Sequence, residues 1–427
     1  MNFASLGLAP ELLRAVKTLG YTKMTPVQQQ AIPAVRRGQD VLVTAQTGTG
    51  KTSAYSLPVL QQMLEKPVNV RAGCVRTLIL APTRELAQQV GEHVQALCQY
   101  LDFSVATVYG GVKMLNQANK LKAGVDVLIA TPGRLKEHVE LGNVDITQTE
   151  FVVLDEADRM LDMGFVKEMH GLLTLITRKH QTLFFSATVS NLVNALAKQA
   201  MDKPLIISVS KKNAVAETIE HLVYLVTDEQ KYALFVDLLR EKNWYQAMVF
   251  TSTREEADKL IKALKDDKVD AAVCHSEKTQ GARKRALQEF KDGKLQVLVA
   301  TEVAARGLDI QGLDLVVNLN LPFFPEDYVH RVGRTGRAGK PGLAISFVCA
   351  EEAVKLAMIE ELIGSKIKRE RVKGYSPVDF PSNPETPKMR AEARQPVAKK
   401  KPVKKKGATK SRSVMAKTGK AKWQTKR

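Results

Sequence analysis

Two short strings in this sequence contain residue types that can bind and hydrolyse a polyphosphate. The first, AQTGTGKT, occupies residues 45–52, directly after the apolar run at 41–43. A glycine-rich turn from a strand into a helix points several backbone N–H groups, and the positive end of the helix dipole, towards one point. Lys51 can then reach the β- and γ-phosphates, and the Thr52 hydroxyl can bind the Mg²⁺ ion that bridges them. The string predicts a phosphate-binding loop, although Ala45 replaces the first glycine of the usual pattern.

The second string, VLDEAD, occupies residues 153–158 and closes another apolar run. Asp155 stands where a strand would end, so its carboxylate can hold the same Mg²⁺ ion, often through water. Glu156 follows directly and can orient or deprotonate an attacking water molecule. The two strings together predict a nucleoside triphosphatase that uses Mg²⁺.

Length and composition exclude several other classes of protein. A chain of 427 residues, 44% of them hydrophobic, can form about two to three domains with large buried cores. No apolar run reaches about 18 residues, and the N-terminus MNFASLGLAPELLRAV lacks a secretory signal pattern. We therefore expect a cytoplasmic protein that does not associate with membranes. The four cysteines have no C-x-x-C spacing and the seven histidines form no H-x-x-x-H set, so we expect no structural metal.

Positive charge is concentrated at the C-terminus. From Lys366 onwards there are 21 Lys and Arg against 4 Asp and Glu, which is +17 of the chain's net charge of +19. The segment includes KKKPVKKK at 399–406 and lacks apolar periodicity, so it cannot bury enough apolar surface to offset the entropy of ordering. We predict a disordered basic tail at 366–427, suited to sequence-independent binding of nucleic acid. A solubilising appendage without a partner is the alternative.

Apolar runs typical of strands alternate with helical patterns, and the alternation occurs twice. The predicted strands are 41–45, 77–81, 104–109, 125–130, 151–154 and 181–185 in the first half, and 222–226, 248–251, 271–274, 297–300, 315–319 and 344–348 in the second. This alternation predicts an α/β fold with two doubly wound parallel sheets. We place the two lobes at 30–207 and 218–365, with an N-terminal region at 1–29 and a polar linker at 208–217. Ligands of such sheets bind beyond the carboxyl ends of the strands, and every candidate motif follows a predicted strand.

The ordered set of motifs resembles the DEAD-box RNA helicases of superfamily 2. Besides the two strings above, the set contains PTRELA at 82–87, TPGR at 131–134, SAT at 186–188, TSTR at 251–254, TEVAARGLD at 301–309 and HRVGRTGR at 330–337. The resemblance implies two tandem RecA-like domains, ATP and Mg²⁺ as cofactors and RNA as the partner. Within this family, the N-terminus MNFASLGL, the stretch LDEADRMLDMGF and the basic tail are similar to the bacterial RhlE-type branch.

The resemblance also implies how ATP is bound and hydrolysed. GYTKMTPVQ at 20–28 matches the family's Q motif, in which Gln28 would hydrogen-bond the adenine edge and Tyr21 would lie beside the base, and Phe3 matches an isolated upstream aromatic residue. In the second lobe, Asp309 would contact the ribose, and Arg334 and Arg337 would stabilise the transferring phosphoryl group as arginine fingers. The implied phosphate-loop residues are Ala45, Gln46, Thr47, Gly48, Thr49, Gly50, Lys51 and Thr52. The implied catalytic residues are Lys51, Asp155, Glu156, Arg334 and Arg337, with Thr52 and Asp155 as the metal ligands.

Two further groups of residues follow from the resemblance. Asp158, Ser186, Thr188 and His330 would couple the ATP site to RNA binding. The candidate RNA contacts, which would be mostly to sugar and phosphate, are Arg84, Gly111, Thr131, Arg134, Thr251, Arg254, Gln280, Arg283 and Thr301. For any one of these Arg or Thr residues, an ordinary solvated surface position is the alternative.

This sequence departs from the family pattern at a few positions, none of them in the hydrolytic centre. Ser276 and Glu277 replace the usual Gly-Asp, Glu302 replaces an Asp, and Asn320 stands where many members have an acidic residue. We expect these differences to affect RNA affinity before ATP hydrolysis.

The function implied is local, nonprocessive separation of short RNA duplexes, with ribosomal particles or RNA-decay proteins as further partners. Two other functions remain open from the sequence. One is an ATP-gated RNA clamp or annealing chaperone, and the other is an assembly platform recruited through the tail.

Overall fold

The computed structural model describes residues 2–45, 48–209, 219–305, 310, 312–336, 342–375 and 380. Most of its strands are short runs of buried, mainly apolar residues, and helices cover both faces of each sheet. The strands are β1 (Val41–Thr44), β2 (Val75–Leu80), β3 (Val105–Val108), β4 (Val125–Ala130), β5 (Phe151–Asp155), β6 (Gln181–Ser186), β7 (Leu205–Ser208), β8 (Ile219–Leu225), β9 (Ala247–Thr251), β10 (Ala271–Cys274), β11 (Val297–Thr301), β12 (Leu315–Asn318), β13 (Gly342–Val348) and β14 (Lys368–Glu370).

Helices alternate with these strands, and within the described residues three short 3-10 helices lie at Phe3–Leu6, Asp228–Gln230 and Ala350–Glu352. The α-helices are α1 (Pro10–Thr18), α2 (Pro26–Arg36), α3 (Lys51–Glu65), α4 (Arg84–Leu97), α5 (Met114–Lys122), α6 (Pro132–Glu140), α7 (Ala157–Asp162), α8 (Val166–Leu175), α9 (Asn191–Ala200), α10 (Lys231–Glu241), α11 (Arg254–Asp266), α12 (Gln280–Lys291), α13 (Glu302–Ala305), α14 (Pro325–Val332) and α15 (Ala353–Ile363). No helix in the described part of the chain is long and apolar enough to cross a membrane.

The strands form two seven-stranded sheets with parallel pairing throughout. The first has the order β3-β4-β2-β5-β6-β1-β7 and the second the order β10-β11-β9-β12-β13-β8-β14. Each sheet has apolar clusters on both faces, as a parallel sheet covered by helices requires. The prediction of two tandem doubly wound lobes is therefore confirmed for the described residues.

The twelve predicted strands all form, with ends that differ from the predicted ones by at most three residues, whereas β7 and β14 were not predicted. Both are edge strands. Leu205 and Ile206 in β7 are exposed, and β14 has the sequence Lys-Arg-Glu, so neither carries the apolar signal of a buried strand. Strand β14 is held by parallel pairing with β8. The predicted disorder from residue 366 onwards is therefore wrong for Lys368–Glu370. Most of the predicted tail and linker lies outside the described residues.

Several helices begin immediately beyond the carboxyl end of a strand, and their caps show why. Thr83 accepts a hydrogen bond from the Leu86 N–H at the start of α4, and Thr279 does the same for Ala282 at the start of α12. Thr253 and Glu256 form a reciprocal capping box at the start of α11. These threonines satisfy backbone N–H groups that a first helical turn leaves unpaired. They fix the helices that carry Arg84, Arg254, Gln280 and Arg283 at the edge where ligands of such sheets bind.

Candidate active site

The predicted phosphate loop follows β1 and leads into α3. Gly48 and Gly50 have φ values of 78° and 88°, a left-handed conformation that glycine adopts without steric cost. A Cβ atom at Gly50 would lie 2.5 Å from the side-chain nitrogen of Gln28, so the close approach also requires glycine. Lys51 is buried and donates from Nζ to the Ala45 carbonyl oxygen at 3.1 Å. Gln46 and Thr47 lie outside the described residues.

Gln28 connects the Q motif to this loop. Its Oε1 accepts from the Thr25 N–H at 2.9 Å, which completes a capping box at the start of α2, and its Nε2 donates to the Gly50 carbonyl oxygen at 3.2 Å. The Tyr21 ring is 38% exposed and lies 6.4 Å from the Phe3 ring, centroid to centroid. The structure thus brings the predicted adenine-binding residues next to the phosphate loop.

His93 on α4 is also close to Tyr21, with the two ring centroids 6.1 Å apart. Its Nε2 shares a 2.9 Å hydrogen bond with the hydroxyl of Ser53, the residue after Thr52. Burial lowers the pKa of His93 to about 4, so this imidazole is neutral at physiological pH. The bond ties the first turn of α3 to α4.

Asp155 ends β5 and is buried beside Lys51. Burial raises the pKa of Asp155 to about 6, against the effect of the Lys51 ammonium, which lowers it. The Tyr55 hydroxyl donates to Asp155 Oδ2 at 2.8 Å, whereas Oδ1 has no hydrogen-bond partner among the described residues. A buried, unpaired carboxylate oxygen next to the phosphate loop fits the ligand set of a hard divalent cation. Glu156 follows in a left-handed backbone conformation, with φ 54° and ψ 52°.

The last acidic residue of the DEAD string is held by the SAT residues. Asp158 Oδ2 accepts from the Thr188 hydroxyl and the Thr188 N–H, both at 2.9 Å, and from the Ala187 N–H at 3.2 Å. The Ser186 hydroxyl donates to the Thr188 carbonyl oxygen at 2.7 Å. Three of the four predicted coupling residues therefore form one hydrogen-bonded group. His330, the fourth, lies on α14 in the second lobe.

A cavity of about 900 Å³ contains most of these groups. Its first-lobe lining includes Tyr21, Gln28, Gly48, Gly50, Lys51, Thr52, His93, Asp155 and Glu156, and helix α12 of the second lobe contributes Gln280, Arg283, Lys284, Leu287, Gln288 and Lys291. Arg334 is buried in the second lobe and follows α14. Asp309 and Arg337 lie outside the described residues.

Among the described residues, two ion pairs join the lobes. Arg159, directly after the DEAD string, pairs through Nη1 with Asp327 on α14, and their side chains are 2% and 6% exposed. Arg283 on α12 pairs with Glu85 on α4, and Gln280 donates to Gln88 at 3.4 Å in the same contact. The Arg159–Asp327 pair is buried, and the side chains of the Arg283–Glu85 pair are 7% and 11% exposed, so in both pairs the two charges are largely removed from water.

The predicted RNA contacts of the first lobe lie after β2, β3 and β4. Arg84 and Gly111 are in close contact, because a Cβ atom at Gly111 would overlap the Arg84 guanidinium. Arg134 donates to the Val112 carbonyl oxygen at 3.1 Å and to Gln117 at 3.2 Å. Thr131 precedes α6, and its hydroxyl makes no capping bond.

In the second lobe the predicted contacts follow β9, β10 and β11. Thr251 and Thr301 are buried at the ends of their strands, and Arg254 makes a 2.5 Å contact with Glu277. Gln280 Oε1 and Arg283 Nε are buried without a hydrogen-bond partner among the described residues.

Three of the four departures from the family pattern, Glu277, Glu302 and Asn320, have contacts in the structure. Glu302 Oε2 accepts from Arg331 Nε at 2.5 Å, and Arg331 also donates to the Asn320 carbonyl oxygen at 2.8 Å. The Asn320 side chain accepts from the Ser252 N–H at 3.4 Å. Glu302 and Asn320 thus belong to a network behind the second-lobe motifs, and Glu277 pairs with a candidate RNA-binding arginine.

Sequence patterns do not indicate a functional role for Tyr55 or His93, and they do not show which residues form the interlobe ion pairs. Tyr55 and His93 sit on helical faces that a sequence pattern assigns to packing. Asp327 and Glu85 are acidic residues in helices, which a pattern assigns to solvent. Glu85 lies within PTRELA, and that position was its only sequence signal.

A phosphate loop, an acidic strand end and a second sheet of the same topology define a two-lobed, helicase-type ATPase. The family model for the DEAD/DEAH box helicase matches residues 25–196, and that for the helicase conserved C-terminal domain matches residues 230–339. The ATP-dependent RNA helicase RhlB of Pseudomonas syringae pv. tomato is 40% identical over 374 residues, which cover 86% of this chain and 94% of that protein. The DEAD-box ATP-dependent RNA helicase CshA of Bacillus cereus is 39% identical over 86% of this chain and 69% of its own length.

Solved structures agree with these matches. S. cerevisiae Dbp5 bound to RNA and ADP BeF3 superposes with a TM-score of 0.77 at 29% identity, over 87% of this chain and 95% of that one. Mss116 bound to ssRNA and UDP-BeF gives a TM-score of 0.79 at 28% identity, over 88% of this chain and 80% of that one. This chain belongs to the DEAD-box RNA helicases. Its placement in the RhlE-type branch stays a prediction.

Proposed function

We propose that this chain is an ATP-dependent RNA helicase that separates or remodels short RNA duplexes by closing two lobes over ATP and one RNA strand. The observation that carries the proposal is that the lobes meet at both candidate sites. Arg159 of the Arg159–Asp327 pair directly follows the DEAD string, and the Glu85–Arg283 pair joins helices α4 and α12, which carry candidate RNA contacts. Lobe closure can therefore link nucleotide binding to RNA binding. The names of RhlB and CshA, and the RNA and nucleotide bound to Dbp5 and Mss116, support the same activity.

ATP binding is assigned to the first-lobe side of the cavity. Gln28 and Tyr21 hold the adenine, the Gly48–Gly50 turn presents backbone N–H groups to the phosphates, and Lys51 neutralises their charge. Thr52 and Asp155 would hold Mg²⁺, which supplies charge neutralisation on the β- and γ-phosphates when bound. The unpaired Asp155 Oδ1 supports this assignment.

Hydrolysis is assigned to residues from both lobes. Glu156 accepts the proton of the attacking water, and Arg334 and Arg337 stabilise the charge that develops on the transferring phosphoryl group. Because the two arginines belong to the second lobe, the reaction requires closure. The hydrogen bonds between Asp158 and Thr188 connect this site to the loops that face RNA.

RNA binding is assigned to the strand ends of both lobes. Arg84, Gly111, Thr131 and Arg134 of the first lobe, and Thr251, Arg254, Gln280, Arg283 and Thr301 of the second, contact sugar and phosphate and so fix a strand without reading its bases. The closed surface accommodates a bent single strand, and an A-form duplex does not fit it. A short duplex is opened locally, and product release reopens the lobes.

The test is the substitution Glu156→Gln, with Glu140→Gln on the exposed end of α6 as the matched control. We expect Glu156→Gln to lose nearly all RNA-stimulated ATP turnover and to retain, or tighten, ATP-dependent RNA binding, measured by fluorescence anisotropy. The control should behave like the unchanged chain. Normal turnover in Glu156→Gln would refute the proposed role.

We further propose a cytoplasmic role on ribosomal particles or in RNA decay, which is supported by the family resemblance. A strand-displacement assay run beside a strand-annealing assay separates the helicase from a clamp or annealing chaperone. The helicase predicts ATP-dependent displacement of short duplexes that exceeds annealing. Annealing without displacement would favour the alternative.

A further inference from the structure

Tyr55 occupies the second turn of α3, directly behind the phosphate loop. Its hydroxyl lies 2.8 Å from Asp155 Oδ2, and both side chains are buried. The Tyr55 ring packs edge-on against Phe185 of β6, with the centroids 5.1 Å apart, so the phenol has a fixed position between the helix and the sheet. A phenol O–H donates and a carboxylate oxygen accepts, so the Tyr55 hydroxyl is the donor in this bond.

The two carboxylate oxygens of Asp155 have different environments. Oδ2 accepts from Tyr55, whereas Oδ1 is buried without a hydrogen-bond partner in the described part of the chain. A buried carboxylate oxygen without a partner is costly unless a ligand completes it. Asp155 lines the cavity together with Lys51 and Thr52, where polyphosphate and its cation are expected.

We propose that Tyr55 is a positioning residue that holds the Asp155 carboxylate in the orientation in which Oδ1 serves Mg²⁺, directly or through a bound water. The inference rests on the proposed ATPase function and adds a residue to it. A carboxylate with one oxygen fixed cannot rotate to offer the wrong atom, and its orientation is set before nucleotide arrives. Groups behind a metal ligand commonly set metal affinity in this way.

The test is Tyr55→Phe, which removes one hydroxyl and leaves the ring. Tyr232→Phe is the matched control, because the Tyr232 hydroxyl also contacts a carboxylate, that of Asp267, at 2.5 Å in the second lobe. The measured quantity is the affinity for a non-hydrolysable ATP analogue with Mg²⁺ and with EDTA. We expect the gain in affinity that Mg²⁺ gives to fall about tenfold in Tyr55→Phe, with binding in EDTA unchanged. The control should keep the full gain.

A double-mutant cycle separates positioning from a structural effect. In an Asp155→Asn background the Tyr55→Phe change should no longer alter the Mg²⁺ gain, whereas a packing defect would act in both backgrounds. An undiminished Mg²⁺ gain in Tyr55→Phe, or an equal loss in both backgrounds, overturns the inference. If the unchanged chain itself fails to bind the analogue, the proposed function fails instead.

A second measurement needs no substitution at position 55. Among the nine tyrosines labelled at the ζ carbon, one resonance should move when Mg²⁺ is added to nucleotide-bound protein, and this response should be absent in Asp155→Asn. If no tyrosine resonance responds to Mg²⁺, the proposal is wrong.

Discussion

Neutralising Asp327 tests whether the buried pair with Arg159 drives lobe closure. The pair is 2% and 6% exposed, and Arg159 Nε and Nη2 have no hydrogen-bond partner among the described residues. Breaking a buried pair by removing one partner costs about 3–5 kcal/mol. Arg159 keeps a 3.3 Å contact with Asp162, but that carboxylate is 38% exposed, and an exposed pair contributes only about 0.2–1 kcal/mol.

The net loss for Asp327→Asn is therefore about 2–4 kcal/mol of closure free energy, or roughly 30- to 1,000-fold in affinity at about 1.4 kcal/mol per tenfold. When the lobes are apart both charges are hydrated, so the loss applies only to the closed state. We expect RNA affinity in the presence of a non-hydrolysable ATP analogue to fall by this factor. RNA affinity without nucleotide should stay unchanged.

The assay is RNA binding by fluorescence anisotropy, with and without the analogue. Glu140→Gln, which removes an exposed pair with Lys136, is the control and should change neither value. The swap of Arg159→Asp with Asp327→Arg should recover part of the loss. If Asp327→Asn binds RNA with the analogue as tightly as the unchanged chain, the pair does not contribute to closure and the reasoning is wrong.

Three further predictions follow from single contacts or segments. Glu277→Gln removes the carboxylate that pairs with Arg254 and should raise RNA affinity by up to about fivefold at low salt, because the largely exposed pair contributes at most about 1 kcal/mol. A similar gain in affinity in an Arg254→Gln background would show that the effect does not act through Arg254. Burial lowers the pKa of His93 from 6.5 to about 4 in the folded chain. Between these two pH values the unfolded chain binds a proton at His93 and the folded chain does not, so the free energy of unfolding decreases as the pH falls from 6.5 to about 4. His93→Gln should reduce this loss by up to about 3 kcal/mol in urea unfolding at pH 4.5 compared with pH 7, and an identical pH dependence in the two proteins would exclude His93 as a source. Removing residues 388–427 should weaken RNA binding and flatten its salt dependence without changing basal ATPase activity, and unchanged RNA affinity would show that the tail does not bind RNA.

The sequence predicted the parts of the fold that have a buried apolar pattern. Strand β5 is one example, since all five residues of FVVLD are buried. Strands β7 and β14 escaped prediction because an edge strand needs only one hydrogen-bonded neighbour and can expose its side chains. Strand β14 pairs with β8 through backbone groups, so the sequence Lys-Arg-Glu needs no apolar pattern that could predict a strand.

For the site, local spacing predicted the groups that come from one loop, and distance along the chain hid the others. Gly48, Gly50 and Lys51 belong to one turn, so a motif is sufficient to place them. Arg159 and Asp327 are separated by 168 positions, and only the packing of the two lobes brings them together. Tyr55 is a similar case, because its partner Asp155 is 100 positions away. The pattern of apolar residues along a helix cannot show that a buried tyrosine also hydrogen-bonds a carboxylate.

The left-handed backbone at Glu156 has a consequence for protein engineering. An L-residue in this region of φ and ψ costs about 1–2 kcal/mol, and glycine recovers part of this because its own extra entropic cost on folding is about 0.5–1 kcal/mol. Selection for heat resistance alone would thus favour replacing the very side chain that is proposed to activate water. Libraries selected for stability should be screened for ATP turnover at every round, since a single codon change can remove the proposed general base.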